Sequence, residues 1–401
     1  MALIVKKFGG TSVKDAERIM NVAKIIVDDY AKGNDVIVVV SAQGDTTDDL
    51  IDKANEIDSG ASKREMDMLL SAGEQISIAL LSMAIGKLGF HAVSLLGWQA
   101  GFKTDSNYGK ARIKTLDSER IKSEISKHNI VVVAGFQGIN KYDDITTLGR
   151  GGSDTSAVAI AAALKADVCQ IYTDVDGVYT ADPRKVFNAK KMDEISYDEM
   201  LELATLGAQV LNNRSVEMAK KYGVELEVLS SYEDKPGTIV KEVVKMEKML
   251  IRGVACDKNV ARISVIGLSD LPGVAFKLFN ALAAQKINVD VILQSVGRDG
   301  TKDISFTVPL DQINDAKDTI ENIKDALIYQ SLSIDQNIAK VSIVGAGMES
   351  HHGVAAKMFE ALYDANINIQ MICTSEIRVS VLISKDDAER ASNAIHDAFI
   401  G

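Results

Sequence analysis

Four stretches of this chain gather the residue types that handle anions and ammonium groups. The first is KKFGGTSV, residues 6–13, directly after a short apolar run. Gly9 and Gly10 let the backbone turn tightly near a ligand, Lys7 adds a point charge, and Thr11 and Ser12 stand where a following helix needs capping side chains. A strand, a glycine loop, a lysine and a helix N-terminus make a phosphate cradle, because open N–H groups and the helix dipole both favour anions. The G-x-x-x-x-G-K-[ST] spacing is absent, and on these residues alone a plain strand-to-helix turn reads the same way. The second stretch, TTLGRGGSDT at 146–155, brings three glycines and Arg150 to the start of an Ala-rich helix over 156–165. A guanidinium there can clamp a carboxylate with two parallel hydrogen bonds; a flexible loop with a solvated arginine is the alternative.

The third is Glu74, beside Gly73 in a largely apolar helical stretch. A carboxylate so placed needs a partner, and a cationic group on a ligand is one candidate; a solvated glutamate is the other. The fourth runs from Thr173 to Arg184, with Asp174, Asp176 and Asp182 spaced like the opening of an EF-hand. The twelfth position from Asp174 is Lys185, so calcium is not expected, and a nucleotide-contacting loop at the carboxyl end of a strand fits better. We expect no metal ion held by protein ligands alone.

The elements that must position these residues alternate apolar runs with amphipathic stretches up to about residue 230, the pattern of an α/β domain with a mainly parallel sheet. DVIVVV at 35–40 reads as a central strand buried on both faces, opening into the polar loop from Ser41 to Thr47. Residues 63–88 read as one long helix, with Met66, Leu69, Leu70, Ile76, Leu80, Leu81 and Met83 at helical spacing. Strands are expected at 92–96, 130–134 and 168–172, with a loop over 98–107.

With 401 residues, 46% hydrophobic and 25% charged, the chain has room for two or three domains. A formal net charge of -11 argues against gripping nucleic acid or an anionic membrane and favours small-molecule partners. No apolar stretch approaches a membrane span of roughly 20 residues, and the N-terminus lacks the parts of a signal peptide, so a cytoplasmic location is expected. Cys169, Cys256 and Cys373 are too isolated for a disulfide framework and read as core packing.

After a turn-rich 230–237 and a charged 241–248 the texture changes. RISVIG at 262–267 matches KVSIVG at 340–345, and Gly273–Ser295 matches Gly353–Ser375 at 11 of 23 positions, an internal duplication. The apolar positions Val274, Leu278 and Leu282 coincide with Val354, Met358 and Leu362, and each unit is expected to continue into a strand, at 287–292 and 367–372.

With KFGGTSV, the Ser41 loop, SAGEQIS around Glu74, TTLGRGGSD and YTDVDGVYTADPR in that order, the chain resembles the aspartate kinases of the amino-acid kinase superfamily, end to end. The resemblance implies ATP-dependent phosphorylation of the L-aspartate β-carboxylate to 4-phospho-L-aspartate, with Mg²⁺ held mainly through ATP phosphates and water. By position it implies Lys7, Arg150 and Asp154 as catalytic residues. Ser41, Thr47, Glu74, Arg150 and Ser153 fall on the substrate side, Glu74 at the α-ammonium and Arg150 with Ser153 at the carboxylate. Gly9, Gly10, Ser12, Thr173, Asp174, Tyr179 and Arg184 fall on the nucleotide side. Gln209 stands where the family commonly carries an ATP-reaching lysine and cannot supply that charge, so that either another cation, such as Arg214 or Arg184, compensates or ATP binds more weakly.

The two repeats look like ACT domains, small βαββαβ amino-acid sensors. The implied fold is therefore an α/β amino-acid kinase domain (1–232) with a mainly parallel sheet, a linker (233–252), and two ferredoxin-like ACT units (253–334 and 335–401). The stretch 251–262 is a candidate for exchange into the last. By motif, Asp270, Gly273, Ala275 and Gln294 line an effector site between paired units, and Asp290, Ser375 and Glu376 match a lysine-binding set, although Ala355 stands where some relatives carry threonine. Lysine and/or threonine are the implied effectors, acting on the first step of the lysine, threonine and methionine route, in a homodimer or homotetramer joined through ACT units. The chain ends directly after the second repeat, so a monofunctional enzyme without a fused dehydrogenase is expected. The alternatives are a kinase of another amino acid, such as glutamate, and a non-catalytic sensor with a degenerate kinase domain.

Overall fold

In a computed structural model, residues 1–208, 210–242, 250–295 and 300–401 are described. They divide into two compact units. The first takes Met1–Val178, Lys191–Thr205 and the following described residues up to 242; the second takes Tyr179–Lys190, Leu206–Ala208 and those from 250 onward.

The first unit is built on eight strands: β1 (Leu3–Phe8), β2 (Asp35–Val40), β3 (Ala92–Leu95), β4 (Ile130–Ala134), β5 (Val168–Thr173), β6 (Glu194–Ser196), β7 (Leu226–Ser230) and β8 (Thr238–Lys241). Their order across the sheet is β6-β8-β7-β5-β1-β2-β4-β3. Every pair is parallel except β7 with β8. The run DVIVVV is buried at five of its six positions because helices cover both faces of a parallel sheet. On one face α1 (Ala16–Ala31) and α2 (Lys63–Lys87) pack Val22, Ile26, Leu81 and Ile85 against Val38 and Ile130. A third helix, α3 (Gly152–Leu164), is apolar all round and correspondingly buried. It starts four residues before the expected position, since Gly151 at φ +69° turns the chain straight into the helix.

Register brings the loops together. Phe8 lies opposite Val40 and Tyr172, and Val40 opposite Ala134, so the loops that begin at Gly9, Ser41, Gly135 and Asp174 leave the sheet along one edge. A small sheet of Phe102–Thr104, Ile113–Leu116, Gln137–Ile139 and Ile145–Thr147 stands beside that edge; its first strand falls inside the stretch expected to be a loop.

Two expectations for α2 need correction. By length and composition this helix is apolar enough to cross a membrane, against the reading that no stretch is. Its inward face holds Asp67 and Glu74 beside Ile78 and Leu81, both carboxyls bonded into neighbouring loops, as in the core helix of a globular unit. Its apolar spacing also marked the wrong face in part, for Ile76, Leu80 and Met83 are exposed.

The second unit holds two four-stranded antiparallel sheets. The first repeat orders β11 (Ile292–Gln294), β12 (Thr301–Pro309), β10 (Val260–Ser269) and β13 (Ser331–Asp335). Its helices α5 (Val274–Ala284) and α6 (Ile313–Asn322) pack Leu278, Leu282 and Ile320 onto Ile263 and Phe306. The second repeat orders β9 (Gly253–Asp257), β14 (Ile338–Val344), β16 (Arg378–Ser384) and β15 (Met371–Thr374). Thus β9, which precedes the first repeat, lies antiparallel to β14 and supplies the outer strand of the second sheet. Helices α7 (Val354–Asp364) and α8 (Ala388–Phe399) cover that sheet through Met358, Leu362 and Ile395.

The strands expected at 287–292 and 367–372 start later and are shorter. Both preceding helices end at a left-handed residue, Lys286 (φ 59°) and Asn366 (φ 52°). The chain then drives Ile287 and Ile367 into the cores before it reaches the sheet edge.

Candidate active site

Alternation along β1 sends its two lysines to opposite faces. Lys6 turns inward to Asp29 at 2.6 Å, a buried structural pair, whereas Lys7 reaches Asp154 on the first turn of α3, Nζ to Oδ1 2.7 Å. The next residues explain the glycines. A Cβ on Gly10 would lie 2.6 Å from the Ala42 carbonyl oxygen, so only glycine lets the loop after β1 approach the loop after β2. Gly44 N–H donates to the Gly10 carbonyl at 3.0 Å and fixes that approach. Ser12 is buried, and its hydroxyl donates to Ser231 Oγ at 2.8 Å, which makes it a brace between loops. Its motif position gave no sign of this partner.

Glu74 is 3% exposed on α2. Its Oε1 accepts from the Ala42 N–H at 3.0 Å, and its Oε2 is buried with no hydrogen-bond partner among the described residues. Burial lifts its pKa to about 8, with the Ala42 bond pulling the other way. A carboxyl with one oxygen satisfied and the other open is built to receive a cationic donor. Ser41, on the loop after β2, and Thr47, in the first turn of the helix Thr46–Ile57 rather than on the loop, are both half-buried.

Arg150 is exposed on the glycine-rich loop, with no ion pair among the described residues. Gly149 and Gly151 take φ of +79° and +69°, and a Cβ on Gly151 would strike the Asn212 side chain at 2.3 Å. Ser153 and Asp154 occupy the first turn of α3, which no side chain caps; the Gly149 carbonyl takes the Gly152 N–H at 2.9 Å, and the Ser153 and Asp154 N–H groups are left to face an anion. These groups beside the Lys7 ammonium fit a nucleotide phosphate. Thr173 ends β5 and donates to Asp174 Oδ1 at 3.0 Å.

Three residues hold this loop, two of which, Asp67 and Asn212, the sequence did not mark. Asp67 accepts from Thr147 N–H at 2.9 Å and Thr147 Oγ1 at 2.6 Å. Arg214, on α4 (Asn213–Tyr222), donates to the Leu148 carbonyl at 2.7 Å and the Ala111 carbonyl at 3.2 Å. Asn212 Nδ2 donates to the Arg150 carbonyl at 3.1 Å. Arg214 is therefore engaged with carbonyls, which counts against it as the stand-in cation for nucleotide. Arg184 lies in the second unit, as does Tyr179, and holds Asp182 through Nε at 2.9 Å and Nη2 at 3.2 Å. Gln209 lies outside the described residues.

In the second unit Asp270 pairs with Lys302 at 3.1 Å. Gly273 caps α5 at φ +90°, Ala275 follows in its first turn, and Gln294 is exposed on β11. Asp290 pairs with the buried Lys340 of β14. Ser375 closes the turn before β16 by donating its N–H to the Arg378 carbonyl at 2.8 Å, and Glu376 is exposed beside it. Among the described residues no hydrogen bond or ion pair joins Asp290 to Ser375 or Glu376.

Residues 2–230 match the model of the amino acid kinase family, and residues 263–323 and 341–399 match that of the ACT domain. The chain is 51% identical over 400 residues to an aspartokinase of Bacillus sp. (strain MGA3), covering all of this chain and 97% of that protein. It is also similar to E. coli aspartokinase III solved with aspartate and ADP in the R-state, at 25% identity, TM-score 0.83 and full coverage of both chains. The same enzyme solved with lysine and aspartate in the T-state aligns at 26% identity, TM-score 0.76, again over both full chains.

Proposed function

This chain belongs to the aspartate kinases of the amino-acid kinase family, and from that membership we propose how its residues carry out phosphoryl transfer from ATP to the β-carboxylate of L-aspartate. The observation that carries the reading is Glu74, whose buried Oε2 has no hydrogen-bond partner among the described residues. The substrate α-ammonium fills that position, and Arg150, with Ser153, takes the α-carboxylate. Ser41 and Thr47 line the side-chain path.

The attacking β-carboxylate has an ordinary pKa near roughly 3.9 and needs no general base. Its oxygen attacks the γ-phosphorus as the bond to the bridging oxygen breaks, and ADP leaves. Two anions have to meet, so the residues act by position and charge. Lys7, oriented by Asp154, neutralises the transferring phosphoryl group, and the uncapped first turn of α3 receives its oxygens. Gly9 and Gly10 keep that space free, Ser12 braces the loop, and Thr173, Asp174, Tyr179, Arg184 and Gln209 are assigned to the nucleotide. Magnesium bound together with the nucleotide would supply further charge neutralisation beside Lys7.

For regulation, the T-state relative with lysine supports an effector role for lysine, and we extend this to lysine and/or threonine at Asp270, Gly273, Ala275, Gln294, Asp290, Ser375 and Glu376. Because Lys340 already holds Asp290, an effector ammonium has to displace it. Exposed Ile292, Leu293 and Ile372 on the edge strands β11 and β15 support pairing of ACT units into a homodimer or homotetramer. The domain boundaries at 232, 252 and 334, a place at the head of lysine, threonine and methionine synthesis, and a cytoplasmic location complete the proposal. Hydroxylamine trapping of the acyl phosphate tests it. Hydroxamate should form with L-aspartate, MgATP and the purified chain and fall when lysine or threonine is added; formation with L-glutamate alone would overturn the substrate assignment.

A further inference from the structure

We propose that Asp67 is a positioning residue that fixes where Arg150 presents its guanidinium to the substrate, an inference that rests on the assignment of Arg150 to the α-carboxylate. Asp67 and Glu74 lie two turns apart on the same buried face of α2, about 10 Å along the axis. Asp67 is 1% exposed, and among the described residues no cation pairs with it. Its oxygens accept four bonds from uncharged donors instead: two from the Gly109 N–H, at 3.0 and 2.9 Å, and two from Thr147. Burying a carboxyl without a counter-charge is costly, and an apolar side chain would pack that position more cheaply. What the carboxyl achieves is the joining of two loop segments.

One segment runs through Gly109 to Ala111, the other through Thr147 to Arg150. Asp67 ties them from the α2 side, and Arg214 ties them again from α4 through the carbonyls of Ala111 and Leu148. The packing between them is tight, since a Cβ on Gly149 would lie 3.1 Å from the Gly109 carbonyl oxygen. Arg150 follows three residues after Thr147, its own carbonyl held by Asn212 and its side chain exposed. Helix α2 therefore sets both ends of the amino-acid site, Glu74 directly and Arg150 through Asp67.

The test compares steady-state kinetics of the full chain carrying Asp67→Asn or Thr147→Val with wild type, Arg150→Met run in parallel, and thermal midpoints recorded for each. Asn keeps the shape but sets an NH₂ against the N–H donors of Gly109 and Thr147. Asp67→Asn should raise KM for aspartate about tenfold with KM for ATP within about twofold, and Thr147→Val should move it the same way by less. Unchanged aspartate KM in both variants, while Arg150→Met raises it, would overturn the positioning role and leave Arg150 in place. An Arg150→Met enzyme with unaltered aspartate KM would overturn the carboxylate assignment and the inference with it. If Asp67→Asn does not fold, Thr147→Val decides: an equal rise in both KM values marks Asp67 as merely structural.

Discussion

Two places on one helix face carry a buried carboxyl, and their surroundings differ. At Asp67 both oxygens are satisfied by backbone and hydroxyl donors; at Glu74 one oxygen holds the Ala42 N–H and the other has no donor among the described residues. Burial raises both pKa values, and at Asp67 the hydrogen bonds from Thr147 and Gly109 pull back against it. The difference separates two uses of the same chemistry. A carboxyl whose hydrogen bonds close within the fold holds loops in place, and one left half-open waits for a ligand to close it.

The largest way to break that comparison is Glu74→Gln. The amide keeps shape and the Ala42 bond but loses the charge for an ammonium, and kcat/KM for aspartate is expected to fall about 100-fold. A fall under threefold in steady-state assays would put the ammonium elsewhere. Asp67→Asn follows, with the roughly tenfold rise in aspartate KM given above. If both variants lower activity equally and through both substrates, holder and receiver are not distinct.

The pH dependence sharpens the same contrast. Glu74 has its pKa raised to about 8, so below that pH the free site is protonated and has to lose the proton before it can pair with an ammonium. Aspartate KM should therefore drop as pH rises toward 8, by up to about tenfold per unit, and level off above. A KM flat from pH 6 to 8 would contradict the assignment. The smallest effect is expected in the second unit, where Asp290 is closed by Lys340 as Asp67 is by its donors. Asp290→Ala should raise the lysine concentration for half-inhibition several-fold, by roughly 1 kcal/mol of lost effector binding. Unchanged lysine sensitivity in an activity titration would make Asp290 a holder only.

The sequence carried the architecture well wherever period and composition were unmistakable. DVIVVV could only be a buried strand, and the duplicated GVA helices announced two like units. Of the two glycine-rich loops only TTLGRGGSDT stood out by its density of glycine with arginine, whereas KKFGGTSV on its own read equally as a plain turn. Asp67 was not, because a lone Asp in an apolar-looking helix gives no hint of Gly109 and Thr147, which lie 42 and 80 residues away and arrive only by folding. Arg214 was misread for a related reason: its charge suggested a phosphate, while its geometry serves two carbonyls. The late start of β11 and β15 was hidden because strand-forming residues at 287–291 and 367–370 are used to close the cores after left-handed helix ends.

The most direct test of Glu74 as the ammonium receiver is proton release on aspartate binding, measured calorimetrically at pH 7 with ADP present, in buffers of different ionisation enthalpy. The account predicts release of nearly one proton by wild type and almost none by Glu74→Gln. Equal release from both proteins, or none from wild type, would contradict it.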